Sequence, residues 1–341
     1  MTTILAIESS CDETAAAVVR DRDEVLSNVI ASQIDIHREY GGVVPELAAR
    51  HHIEAIDFVL RQALLQADTR LEEIDAIAVT QGPGLIGSLL VGVMTAKAIA
   101  WQRQLPLIAV NHLEGHVRSV FIDHPATPFP NLSLIVSGGH TALYLCPGEG
   151  DYRLLARTRD DAVGEAFDKV SKLLGLGYPG GPVIERIARD GNSSRHDFPH
   201  AQMKDGSLDF SYSGLKTAVR REAQRLGLDQ ESATGGEVSD DVRDIAASFQ
   251  RAAIRVLVRR TVKACKREGV DTVAVSGGVS CNKKLRESFA GAAAREGLQV
   301  VFPAPQYTTD NAAMIGAAAF LHYERGEFAP LSINADPSMK L

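Results

Sequence analysis

Asn111-His112-Leu113-Glu114-Gly115-His116 is the stretch best equipped for chemistry. Two histidines four apart share one face of a helix, about one turn apart. Two such imidazoles can hold one divalent metal, although the same pair also fits a helix start with solvated or locally bonded histidines. A metal centre needs a further protein ligand. Asp310, placed after the last predicted strand where the last helix opens, is the candidate, and aspartate also suits a plain helix N-cap. The zinc-protease pattern H-E-x-x-H is not met, because Glu114 stands two residues after His112. Neither a nucleophile elbow nor a catalytic-triad order is present. Glycine turns close strands at Gln81-Gly82-Pro83-Gly84, Ser137-Gly138-Gly139 and Ser276-Gly277-Gly278. Glycine lets backbone N–H groups approach a phosphate, and a following helix N-terminus favours the anion. None matches the Walker or dinucleotide pattern, but their recurrence at equivalent places predicts a bound nucleotide.

The elements that must position these residues follow a repeated plan. Strands are expected at Thr3–Glu8, Thr14–Val19 and Glu24–Ala31, with Ser9 to Glu13 as a turn and His37 to Gly42 as a loop. A helix from Pro45 to about Ala67 presents Leu47, Ile53, Ile56, Leu60 and Leu64 at near-helical spacing. Strand Asp75–Thr80, helix Ile86–Trp101 and strand Leu107–Val110 lead to the histidine pair. Pro125, Pro128 and Pro130 mark a boundary. Strands Leu132–Val136, Thr141–Cys146 and Tyr152–Thr158 follow it. After an insertion come strand Asp271–Val275, helix Ser280–Arg295, strand Gln299–Phe302 and helix Asn311–Arg325. Each half thus reads strand–turn–strand–strand–helix–strand–Gly turn–helix–strand–helix.

That order is the plan of the actin-like ATPases, sugar kinases and heat-shock ATPases: an α/β, duplicated two-lobe fold with Gly turns facing a cleft. We place the first lobe at 1–128, completed by 326–341, and the second at 129–325, with a helical insertion at about 159–268. Inside the insertion, Phe198, Phe210 and Tyr212 suggest a hairpin, and Gln224 to Val238 a flexible loop. A long helix from about Asp240 to Lys266 buries Ile245, Phe249, Ala252, Val256 and Ala264. Its other face carries Arg251, Arg255, Arg259, Arg260, Lys263, Lys266 and Arg267, which reads as a solvated basic face or an RNA contact.

Composition bounds the partners. The 341 residues are 45% hydrophobic and 23% charged, ordinary for a globular chain with a full core. A net charge of −7 excludes a generally basic nucleic-acid binder but not a local basic patch. Cys11, Cys146, Cys265 and Cys281 form no C-x-x-C pair, which fits a reducing compartment. No basic and long apolar leader follows Met1, so no secretory signal is expected. Leu85 to Ala100 is too short and too broken by Gly87, Gly92 and Lys97 for a membrane span, and a cytoplasmic location is expected.

Longer motifs run the length of the chain: Ile7-Glu8-Ser9-Ser10-Cys11-Asp12-Glu13-Thr14, Gly41-Gly42-Val43-Val44-Pro45-Glu46-Leu47-Ala48 and Gly82-Pro83-Gly84-Leu85. The His112–His116 motif, Val136-Ser137-Gly138-Gly139-His140-Thr141, Gly164-Glu165-Ala166-Phe167-Asp168-Lys169 and Tyr178-Pro179-Gly180-Gly181-Pro182 follow. Ser211-Tyr212-Ser213-Gly214-Leu215-Lys216-Thr217, Ser276 to Asn282 and Thr309-Asp310-Asn311-Ala312 complete the set. On these motifs, over essentially its whole length, the chain resembles the catalytic transferase family of tRNA threonylcarbamoyladenosine synthesis, formerly called O-sialoglycoprotein endopeptidases.

The resemblance implies transfer of threonylcarbamoyl from threonylcarbamoyl-adenylate to N6 of the adenosine 3′ of the anticodon in tRNAs reading ANN codons, releasing AMP. It implies that His112, His116 and Asp310 hold the metal, described as iron in this family, with zinc and magnesium as alternatives. Ile135, Val136, Ser137, Gly138, Gly139, Asp168, Gly181 and Asn282 would bind the adenylate. Glu185 would join them where many members carry aspartate. The implied partners are a dimerising paralogue of the same fold and a small P-loop ATPase, with a separate synthase supplying the adenylate. Asp12 and Glu13 are the residues we expect near the proton transfer, local turn bonding being their other use. A metal-dependent glycoprotein endopeptidase and a non-catalytic ATP-binding scaffold are the alternative functions.

Overall fold

The computed structural model describes residues 1–199, 203, 205–228 and 238–341. They form two compact units, Met1–Thr127 with Pro303–Leu341 and Pro128–Phe302.

The first unit opens with an antiparallel meander, β1 (Thr3–Glu8), β2 (Glu13–Arg20) and β3 (Glu24–Ser32). The short helix α1 (Ile34–Arg38) and the long α2 (Pro45–Gln66) follow, then β4 (Ala76–Gly82), α3 (Ile86–Arg103), β5 (Leu107–Asn111) and α4 (His112–Asp123). The sheet order is β3-β2-β1-β4-β5, with β4 parallel to β1 and β5 parallel to β4. Every residue of β1 is buried because both sheet faces are covered, as a continuous apolar run requires. Leu5 and Ile7 face the core under α2 and α3, whereas Ile4 and Ala6 face the other side.

The second unit repeats the topology. Strands β6 (Asn131–Val136), β7 (Thr141–Cys146) and β8 (Arg153–Arg157) form its meander. Helices α5 (Val163–Leu173), α6 (Gly180–Ala188), α7 (Ser213–Arg225) and α8 (Asp240–Glu268) make up the insertion. Then come β9 (Thr272–Ser276), α9 (Lys283–Glu296) and β10 (Gln299–Val301), in the sheet order β10-β9-β6-β7-β8. The last helix, α10 (Ala312–Arg325), returns to the first unit.

That return corrects the expected lobe boundary at 325. Every residue of α10 from Ala312 to Leu321 is buried, so the helix needs cover on all sides. The far face of the first sheet supplies it: the α10 core residues cluster with Ile4, Ala6, Ala17 and Val19. Gly316 makes the close approach possible, since a Cβ there would lie 2.6 Å from a Val19 methyl.

Other details differ from expectation. The buried stripe of α2 is Ala48, His52, Ile56, Val59 and Ala63, and Ile53 is 66% exposed. The cause is His52, whose Nε2 donates to the Cys11 carbonyl at 2.9 Å while Nδ1 accepts from the Thr14 hydroxyl at 2.7 Å. This bonded histidine sets the rotation of the helix, and the flanking alanines let it sit close to the sheet. No hairpin forms around Phe198, Phe210 and Tyr212 among the described residues; Phe210 makes a single bridge with Thr158. Asp160 instead gathers the Ser211 and Ser213 hydroxyls and the Tyr212 N–H, turning the chain into α7. Burial alone would raise the Asp160 carboxyl, but these bonds outweigh it and hold it below its usual value. The helix expected from Ser280 breaks after a 3-10 turn at Gly278–Cys281 and restarts at Lys283. Most of the loop expected between Gln224 and Val238 lies outside the described residues.

Candidate metal centre and glycine-lined ring

The metal candidates assemble within the first unit. Asn111 ends β5 and caps α4, its side chain accepting from the Leu113 N–H at 2.8 Å. This puts His112 in the first helical turn and His116 one turn on, both buried. Asp310 lies just before α10 but is not its cap; Asn311 takes that role, accepting from the Met314 N–H at 3.0 Å. The carboxylate of Asp310 is thereby left to point at the histidines. One of its oxygens is 3.1 Å from His116 Nε2 and 3.6 Å from His112 Nε2. The ligand atoms of all three residues lie within 4.8 Å of one another.

The donor chemistry fits a metal ion. Among the described residues neither ring nitrogen of buried His116 has a hydrogen-bond partner, although Nε2 is so close to Asp310. A buried nitrogen without a partner is costly, and a coordinated cation would satisfy it. His112 is oriented from behind: its Nδ1 is 3.1 Å from both Glu8 Oε2 and the Ser10 hydroxyl. A carboxylate on the far nitrogen fixes the tautomer that leaves Nε2 as the ligand. Two imidazoles with one carboxylate suit iron or zinc better than magnesium, which prefers oxygen.

Glu8 is fully buried, at the end of an otherwise apolar strand. It also accepts from the Thr80 hydroxyl at 2.6 Å and the Ser10 N–H at 2.5 Å. Burial pushes its carboxyl up, yet His112 and Thr80 hold it below the ordinary value. For His112 the same balance runs the other way in charge: burial disfavours the imidazolium, but Asp310 and Glu8 lift it to about 9. Sequence reasoning gave Glu8 no role; a lone carboxylate closing an apolar strand was the available signal. Beside this cluster, burial and then Asp12 and Asp310 push the Glu13 carboxyl well above its usual range. Glu114 points away from the cluster, bonded to His322 of α10 at 2.9 Å, so it is not a protease base.

The residues expected at the adenylate lie in the second unit and form a ring of contacts. Ser137 to His140 joins β6 to β7, closed by the Ser137 N–H donating to the His140 carbonyl at 2.8 Å. Gly138 and Gly139 are exposed, and a Cβ on either would meet nothing within 4 Å among the described residues. The Gly164 N–H at the start of α5 donates to the Ser137 carbonyl at 3.2 Å. From α5, Asp168 accepts from the Gly180 N–H at 2.7 Å and so fixes the start of α6, where Gly181 faces open space. From α6, Glu185 accepts from the Lys283 N–H at 3.2 Å. Asn282 caps α9 and donates to the Gln250 side chain of α8 at 2.8 Å. Gly277 closes the ring against the Val136 carbonyl. Ile135 and Val136 are buried strand residues, which leaves them backbone groups alone for any ligand. Gln250 escaped sequence reasoning, its signal being a polar side chain on the apolar face beside Phe249.

The profile of the family described as tRNA N6-adenosine threonylcarbamoyltransferase matches residues 24–317. The chain belongs to that family. A transferase of that name from Syntrophotalea carbinolica is 52% identical over 332 residues, spanning 97% of this chain and 95% of its own. One from Clostridium beijerinckii is 50% identical, spanning 99% and 98%. Among solved structures, full-length HypF in its phosphate- and nucleotide-bound form aligns with a TM-score of 0.63 at 13% identity, over 96% of this chain and 56% of HypF. Component A of the Acidaminococcus fermentans (R)-2-hydroxyglutaryl-CoA dehydratase aligns at 0.55 and 13%, over 95% and 99%. At such identities these two show the fold alone, the duplicated actin-like α/β fold. Among the described residues of this family member, no helix is long and apolar enough to cross a membrane.

Proposed function

We infer that this chain transfers a threonylcarbamoyl group to N6 of a tRNA adenosine. The observation that carries the reading is identity of about half of all residues, over nearly the full length, with transferases of that name. The proposed donor is threonylcarbamoyl-adenylate and the proposed acceptor the adenosine 3′ of the anticodon in tRNAs reading ANN codons. An exocyclic adenine amine is a weak nucleophile, so the acyl carbon must carry a good leaving group. As N6 bonds to that carbon, the bond to the phosphate oxygen breaks, AMP departs and N6 loses a proton.

The exposed amides at Gly138 and Gly139 are suited to hold an anion, and no side chain there blocks its approach. Asp168, Gly181, Glu185 and Asn282, with Gln250, are proposed to hold the nucleotide. Asp12 and Glu13 are proposed to accept the N6 proton; burial and then the neighbouring Asp12 raise the Glu13 carboxyl, which makes its ionised form a stronger base. His112, His116 and Asp310 would hold the divalent ion, iron in our reading. When bound, such an ion supplies positive charge that offsets the charge of a departing phosphate. Mass spectrometry of bulk tRNA nucleosides tests the whole reading. Depleting the protein should remove threonylcarbamoyladenosine, and an unchanged level would sink it.

The proposed setting is the cytoplasm, with a paralogous subunit of the same fold and a small P-loop ATPase. The proposed contact for the paralogue is α3, where Ile86, Leu90, Met94 and Trp101 recur at helical spacing and are exposed. Ile53, Phe58 and Leu65 of α2 are exposed as well. Leu90→Glu with Met94→Glu should weaken capture of that subunit by at least ~30-fold, as loss of central apolar anchors does. The melting temperature of the isolated chain should hardly move, because both side chains already face water. Undiminished capture in a pull-down would remove this surface from consideration.

A further inference from the structure

A second site lies on the long helix, in a groove that the chemistry described above does not use. A cavity of about 510 Å³ is lined by the C-terminal halves of α8 and α9 and by Met203, Gly206 and Ser207. Among the described residues its charged lining is Arg259, Arg260, Lys263, Lys266, Arg295 and Glu296, five cations to one anion. In a chain of net charge −7 this concentration is anomalous. Glu296 is engaged on the rim by Lys266, at 2.6 Å. Among the described residues Lys263 makes no ion pair, and its side chain is exposed. Lys266 also sits in the last turn of α8 and Arg295 in the last turn of α9, where a cation offsets the helix dipole. Lys263 stands further back, away from the helix end.

We propose that this groove receives the phosphate backbone of the substrate RNA. The inference rests on the function proposed above, which makes an RNA the acceptor. Length along α8 separates RNA from a small nucleotide as the occupant. Gln250, which bonds Asn282 in the glycine-lined ring, lies thirteen residues before Lys263 on the same helix. At 1.5 Å per residue that is roughly 20 Å, beyond the reach of one adenylate and within the span of a nucleic-acid backbone. Cationic side chains without a fixed base-reading geometry serve phosphates, so the contact should be blind to sequence and sensitive to salt.

The test uses the full chain with Arg259→Glu, Lys263→Glu and Arg295→Glu, and equilibrium binding of unmodified tRNA across a salt series. Affinity should fall by at least ~100-fold near physiological salt. The slope of log affinity against log salt should shrink by about 2 to 3, since each phosphate neutralised by a cation contributes about 0.7 to 0.9. The loss should be equal for tRNAs of different anticodon. A footprint on the unaltered chain removes dependence on the variant's folding: bound tRNA should shield Lys263 and Lys266 from acetylation. An unchanged salt slope, no shielding, or shielding by an acidic protein partner in place of tRNA would each overturn the proposal. Failure of the function reading is a separate result, read as unchanged nucleoside levels on depletion, and it leaves the slope and footprint to decide the groove.

Discussion

Replacing His116 with alanine is expected to strip the purified protein of its metal and to slow transfer by at least ~100-fold, since even the supporting partners of metal ligands carry 10- to 100-fold effects. The imidazole is fully buried and its Nε2 stands 3.1 Å from Asp310. Without it, His112 and Asp310 remain, and two donors hold a divalent ion poorly. Elemental analysis of the purified variant checks the metal directly, apart from activity. Chelation of the unaltered protein should reproduce the loss of transfer, and iron or zinc should restore it better than magnesium, given the two imidazoles. A variant that retained one ion per chain and normal turnover would show that these three residues do not form the centre.

A large stability effect is expected at Gly277. Its backbone sits at φ 89° and ψ 158°, a region that L side chains rarely adopt. A Cβ there would also fall 2.4 Å from the Val136 carbonyl oxygen. Strain and overlap together should make Gly277→Ala cost at least ~3 kcal/mol. For a unit of this size that corresponds to a fall of about 6 to 12 °C in melting temperature. Gly139→Ala is the control, because its Cβ would meet nothing within 4 Å and the melt should be unchanged. Equal melting temperatures for the two variants, measured by calorimetry, would refute the ring geometry drawn around Val136 and Asn282.

Strand and helix positions were largely legible because their signals are local. The apolar run Ile4–Ile7 and the Pro45 helix start each act over a few residues. The rotation of α2 was not legible, since it depends on a bond from His52 to Cys11, 41 positions earlier. The hairpin expected near Phe210 failed for the same kind of reason: Asp160, some fifty positions away, claims the donors of Ser211, Tyr212 and Ser213.

Within the site, residue types and spacing alone singled out His112 and His116, because a helix turn brings i and i+4 to one face whatever surrounds them. Family resemblance and the match across residues 24–317 likewise needed no coordinates. Only the tertiary structure decided that Asn311, and not Asp310, caps α10, which frees Asp310 to meet the histidines. It alone brought Glu8 behind His112 across 104 positions and Gln250 to Asn282 across 32. Hydrogen bonds of that reach are set by how sheets and helices pack, and no periodicity along the chain encodes them.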